Sequence, residues 1–186
     1  MKLAGSQQGY LYDRLAHLMN RKRTNGNNRN QLMINTVFDE NKIDFRITEV
    51  PDSLRVLIHD EKINEYLSCM GTDLSFYKLS NGVALTKLYS ISTILSENFD
   101  EYNKPCLENG FLIIGAGPNG DLLCVNCSTG LVGYAFGAEL WEKSFNVFSD
   151  IYIELPLSIE QFIVLMLRDK ENYPFDGSAA EDYLKG

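Results

Sequence analysis

The chain has 186 residues, 45% of them hydrophobic and 23% charged, which suits one globular domain with a core of ordinary size. Its 17 basic and 25 acidic residues leave a net charge of −8, which excludes bulk binding to nucleic acid or to an anionic membrane as an expected function. No apolar run approaches the ~20 residues of a membrane span, and the first residues lack the apolar centre of a secretion signal, so the expected location is cytoplasmic.

Residues 10–23 place Leu11, Leu15, Leu18 and Met19 at helical spacing. They end in Arg21-Lys22-Arg23, where cations suit the negative end of a helix. Thr24 to Asn30, rich in Asn, reads as a loop. Residues 1–30 carry six basic groups against Asp13 alone, a net of +5 that leaves −13 on the remainder. An acidic body of that kind keeps a protein soluble and steers basic partners toward it.

Val50-Pro51-Asp52 opens a second helical region, with Leu54, Leu57, Ile58, Ile63, Tyr66 and Leu67 as its apolar face and Gly71 as its break. Asp73 to Leu79 is expected to be a short helix stopped by Asn81-Gly82. Val83 to Leu88 alternates like a strand, and Ser92 to Asn98 suits a short helix. From Gly110 the period becomes two, which predicts strands near 111–115, 121–126 and 131–136, with another at Tyr152–Leu155. Ser158 and Gln161 have capping-box spacing at the start of a last helix, with Phe162, Ile163, Leu165 and Met166 facing inward. The acidic tail after Asp169 holds Tyr173, Phe175 and Tyr183, which suits a segment that folds back on the body.

The stretch Phe111-Leu-Ile-Ile-Gly115-Ala-Gly117-Pro-Asn-Gly120-Asp121 admits two readings. A strand running into Gly-x-Gly-x-x-Gly is the spelling of a dinucleotide-binding turn, and Glu139 falls near the offset of a ribose-binding acid. On that alternative the chain is a flavin or nicotinamide enzyme using Gly115, Gly117, Gly120 and Glu139. The phosphate-binding helix would then be Asp121 to Thr129, which holds Cys, Val, Asn, Ser and Thr and no strong helix former beyond Leu122 and Leu123. Asn119-Gly120 is instead a hairpin signal of type I′, and Ser128-Thr129-Gly130 is a second turn. The preferred reading is a three-stranded meander without a cofactor. A helix over 121–126 would restore the nucleotide-binding alternative.

Other motifs are spare. Cys124 and Cys127 form a lone Cys-x-x-Cys with no second pair, and Cys69 and Cys106 stand apart, so no metal site is expected and all four cysteines are expected as free thiols. His17 and His59 have no nucleophile in motif context, and neither Gly-x-Ser-x-Gly nor His-Glu-x-x-His occurs. No catalytic residue is assigned. Asp121, Glu139 and Glu142 can form a carboxylate group in space, and the sole tryptophan, Trp141, serves either the core or an interface.

The order of these features resembles a known family. A helical segment leading to Phe76-Tyr-Lys-Leu-Ser-Asn81-Gly82 is followed by an apolar strand into the glycine-rich turn and Gly120-Asp121. Then come Leu122-Leu-Cys-Val-Asn126, Thr129-Gly130, Trp141-Glu142 and Leu155-Pro-Leu-Ser-Ile-Glu-Gln-Phe162. This order is similar to that of the SUKH superfamily, which joins fungal cell-wall-synthesis regulators to bacterial immunity proteins. The resemblance covers about residues 48–168. It implies a non-catalytic binding module that neutralises a toxin by occluding it, the partner being a polymorphic toxin domain. A regulatory scaffold in envelope synthesis is the other role it implies.

The expectation is an α+β fold, an antiparallel sheet of four to six strands with helices packed against it. Residues 1–30 form a basic helix and Asn-rich loop, 31–170 the SUKH-like domain and 171–186 the acidic tail. The expected partner-binding residues are Asp121, Glu139, Trp141 and Glu142.

Overall fold

A computed structural model describes residues 43–58, 60–77, 84–168 and 173–186. The expected helix at 10–23, the loop at 24–30, His17, His59 and Asn81-Gly82 lie outside them. Six strands form one antiparallel sheet in chain order: β1 Leu74–Tyr77, β2 Ala84–Leu88, β3 Phe111–Ala116, β4 Leu122–Asn126, β5 Leu131–Ala135 and β6 Tyr152–Ser158. The helices are α1 Asp52–Arg55, α2 Glu61–Ser68, α3 Ile91–Phe99, α4 Lys104–Glu108, α5 Gly137–Glu142, α6 Ile159–Arg168 and α7 Gly177–Lys185. The fold is α+β, as the patterning predicts.

β3 and β4 are buried on both faces, so helices must cover both sides of the sheet. Register shows how. Cys124 pairs with Ile113 and Gly133, whereas Leu123 pairs with Tyr134, so Cys124 and Tyr134 face opposite ways. The side chains of Cys106 on α4 and Cys124 share a thiol hydrogen bond, while Phe162 of α6 meets the Tyr134 ring edge-on at 6.5 Å. α3 and α4 thus cover one face, and α6 covers the other with Tyr173.

One expected helix is a strand. Residues 74–77 pair with β2 as β1. Leu74 is buried and Ser75 exposed, the period of two that Leu-Ser-Phe-Tyr also permits. The capping box at α6 forms as expected: Ser158 N–H donates to Gln161 Oε1 at 2.9 Å, and Gln161 N–H donates to Ser158 Oγ at 3.3 Å. The tail does fold back. Tyr173 is buried, its hydroxyl lies 2.7 Å from that of Thr86, and α7 packs against β5 and β6.

Asp73, at the entry to β1, holds β2 and α3 together. Its Oδ1 accepts from Ser90 N–H at 2.7 Å and from the Thr93 hydroxyl at 2.9 Å, and its Oδ2 meets Lys87 Nζ at 2.8 Å. Burial pushes this carboxyl up, but the bonds from Lys87, Ser90 and Thr93 outweigh it and hold it at about 2, below the ordinary 3.8. A depressed folded pKa contributes stability that is complete above the unfolded value and lost as pH falls through the folded one. The thermal midpoint is therefore expected to drop between about pH 4 and pH 2. Asp73→Asn should flatten part of that drop, and melts across this range check it; an unchanged profile would count against the linkage.

Candidate interaction surface

The glycine-rich stretch closes a hairpin. β3 runs to Ala116 and β4 begins at Leu122, so a strand stands where a phosphate-binding helix would have to start. Gly117 N–H donates to the Asp121 carbonyl at 2.8 Å, and Gly120 N–H donates to the Gly117 carbonyl at 3.3 Å. Gly120 has φ +91°, while Asn119 has no positive φ. The turn is therefore a three-residue loop with Gly120 as its left-handed bulge residue, and not the expected type I′. Pro118 and Asn119 supply the two ordinary turn positions.

The remaining glycines serve close approach of the chain to itself. A Cβ on Gly115 would overlap the Lys87 carbonyl, and one on Gly117 would stand 2.6 Å from the Phe175 carbonyl. The space a pyrophosphate would take beside Gly117 is thus filled by the C-terminal segment. Glu139 lies exposed on α5. The four residues of the nucleotide-binding alternative are not gathered into a cradle.

Asp121 does not sit among surface contacts. It is 6% exposed. Its Oδ2 accepts from Gly177 N–H at 2.9 Å and from Asn119 Nδ2 at 2.8 Å, and its Oδ1 accepts from Gly137 N–H at 3.4 Å. A buried carboxylate is tolerated when its lone pairs are filled in this way. The expectation of Asp121 as a contact residue is corrected on this ground.

Trp141 stands on α5, which follows β5, and is 45% exposed. It belongs more to the surface than to the core. Its Nε1 donates to Asn103 Oδ1 at 2.9 Å, and Asn103 Nδ2 donates in turn to Glu97 Oε2 at 2.9 Å. From below, the ring edge rests on glycine: a Cβ on Gly120 would stand 3.6 Å from Cη2, and one on Gly137 3.2 Å from it. The indole is held on two sides while it remains half open to solvent.

Asn103 ends the turn that joins α3 to α4, and two more exposed aromatic residues flank it, Phe99 at the end of α3, 57% exposed, and Tyr102 in the turn, 63% exposed. Asp100, Glu101, Glu139 and Glu142 are exposed around these elements, and none takes part in an ion pair among the described residues. The neighbouring cations in the chain are Lys104, which pairs with Glu108 at 3.2 Å, and Lys143. Lys143 ends α5 in the left-handed conformation, φ 54° and ψ 37°, which a non-glycine residue adopts at a cost of about 1 kcal/mol. The structure thus leaves Glu139, Trp141 and Glu142 exposed on α5, and the Trp141–Asn103 bond ties that helix to the α3–α4 junction, which bears Phe99 and Tyr102, residues that sequence reasoning passed over. Their signal was Phe99-Asp-Glu-Tyr102 itself, apolar rings in an acidic turn between helices.

The thiols show no arrangement for catalysis. None of the four cysteines is in a disulfide. Cys106, Cys124 and Cys69 are buried. Burial and the bond to Cys106 push the Cys124 thiol well up, and burial also raises Cys127, the opposite of what a redox nucleophile needs. Among the described residues no group of three or more His, Cys, Asp or Glu is placed to hold a metal ion, and no helix is long and apolar enough to cross a membrane. Comparison with protein-family models, with curated proteins and with solved structures finds no match to the chain.

Proposed function

We propose that this protein is a non-catalytic binding protein that occludes a basic protein partner, in the manner the SUKH resemblance implies for toxin immunity. The single observation that carries the proposal is the half-exposed Trp141, held by Asn103 next in the chain to exposed Tyr102, on elements that also carry exposed carboxylates outside the ion pairs of the described residues. Apolar rings supply the desolvated centre on which binding energy concentrates, and tryptophan is the residue most enriched there. The carboxylates supply charge complementarity, which speeds encounter with a cationic surface and rejects acidic ones. An arginine of the partner would stack on the indole and reach the acids around it. A nuclease-type toxin, basic where it binds its substrate, has this chemistry.

The proposal expects a neighbouring gene to encode a basic toxin domain, and the test is co-expression with that domain. Cells should survive, and the purified pair should bind with an association rate that falls as salt rises. Absence of both protection and binding would sink the proposal. A flavin absorbance band in the purified protein, or thermal stabilisation by a nicotinamide dinucleotide, would return the enzyme alternative.

A further inference from the structure

The C-terminal segment 173–186 packs on the two elements that flank the Trp141 ring. The Phe175 carbonyl lies against Gly117, and the backbone at Gly177 lies so close to Phe136 and Asp121 that a Cβ there would overlap the Phe136 ring and stand 2.9 Å from Asp121 Oδ2. The segment therefore touches both elements that carry the bed under the indole: the hairpin tip with Gly120, and the residue that precedes α5. Asp121 joins all three, accepting from Asn119, from Gly137 at the start of α5 and from Gly177 at the start of α7. Among the described residues no cation pairs with it. Two further bonds hold the segment in place: the Tyr173 hydroxyl at Thr86, and the Tyr134 hydroxyl donating to the Pro174 carbonyl at 3.1 Å.

Burying a carboxylate that only N–H groups satisfy costs free energy that an apolar side chain of similar size would not. What the carboxylate adds is geometry. Its two oxygens set the hairpin tip, α5 and α7 in one arrangement, and three glycines, Gly117, Gly137 and Gly177, permit the approach. Gly137 is packed so tightly on the tip that a Cβ would stand 2.5 Å from the Gly120 carbonyl.

We propose that Asp121 is a positioning residue for the Trp141 surface, and that the C-terminal segment acts through it as a strap that sets the orientation of the indole. The proposal rests on reading that surface as the partner site. Its test needs no partner, so failure here and failure of that reading are told apart. Trp141 is the sole tryptophan, and its emission reports on this surface alone.

In the full-length protein, Gly177→Ala should lift the strap from Phe136 and Asp121. The expected result is a red-shifted Trp141 emission and stronger acrylamide quenching, together with loss of amide protection in α7 and unchanged protection in β3 to β5. Asp121→Asn keeps the shape but replaces one acceptor oxygen by a donor group, and should move the emission in the same direction; it carries the test where Gly177→Ala does not fold. Ser178→Ala, exposed and one residue on, should leave the emission alone. Unchanged Trp141 emission in both junction variants, or an equal shift in Ser178→Ala, overturns the proposal.

Discussion

Replacing Asn98 by Leu is expected to destabilise the protein by about 3 kcal/mol, the largest stability loss we predict for a single side chain. Asn98 is fully buried. It sits where the sheet runs out of partners. β2 pairs with β3 only at Lys87–Ala116 and Leu88–Gly115, and Tyr89 N–H still reaches the Ile114 carbonyl before the chain turns into α3. Ile113 would next have met β2, and it meets Asn98 instead. Asn98 Oδ1 accepts from Ile113 N–H, and Nδ2 donates to the Ile113 and Ile94 carbonyls, all at 2.8 Å. The side chain thus does the work of a missing strand residue and ties α3 to β3. Leu would leave the N–H and C=O of Ile113 without these bonds inside the core, each orphan costing about 1–3 kcal/mol. Urea unfolding should show a lower midpoint with an unchanged slope. A loss below about 1 kcal/mol would mean that the Ile113 groups find other partners and that this account of the edge is wrong.

The central meander was legible because two independent signals agreed. Residues 111–136 fall into short apolar runs of strand length, and Asn119-Gly120 and Ser128-Thr129-Gly130 fall between the runs. The detailed turn was not legible, since Asn-Gly serves either a type I′ turn or a type I turn followed by a left-handed glycine. The choice depends on which backbone pair, here Gly117 with Asp121, closes the ladder. β1 was misread for a related reason: four residues are too few to separate a period of 2 from 3.6, and the pairing with β2 decides. α4 was missed because Lys-Pro-Cys-Leu-Glu is barely one turn, and it is held by burial of Cys106 rather than by propensity.

At the surface, legibility followed sequence distance. Glu139, Trp141 and Glu142 lie on one short helix and could be proposed together. The partners that give Trp141 its setting are Asn103, Gly120 and, through Asp121, Gly177, and nothing local in the chain announces them. Asp121 itself was misplaced, because an acid beside an Asn-Gly turn normally reads as solvated. Its burial comes from the backbone of a segment 56 residues away. Two of the glycines that spell a nucleotide motif, Gly115 and Gly117, are explained by close approach of other segments and the third, Gly120, by the positive φ of the turn.

Trp141→Ala is expected to weaken partner binding by about 30-fold, or about 2 kcal/mol, with little change in thermal midpoint. The asymmetry follows from exposure. A residue 45% exposed in the free protein contributes modestly to the fold, yet it presents a large apolar face for burial in a complex. Asn103→Ala should fall between the two extremes. It leaves the ring in place but removes the 2.9 Å bond that holds the indole N–H, so binding must then meet the cost of ordering the ring, about 0.5–1.5 kcal/mol. Glu139→Gln with Glu142→Gln should act differently, slowing association and reducing its salt dependence while dissociation changes little, because rim charges act on encounter. Stopped-flow association and surface-immobilised dissociation, with the toxin domain that co-expression identifies as the partner, separate these effects. Equal and small losses from all three changes would place the interface elsewhere on the molecule. A loss confined to the carboxylate pair would leave an electrostatic surface without an aromatic anchor.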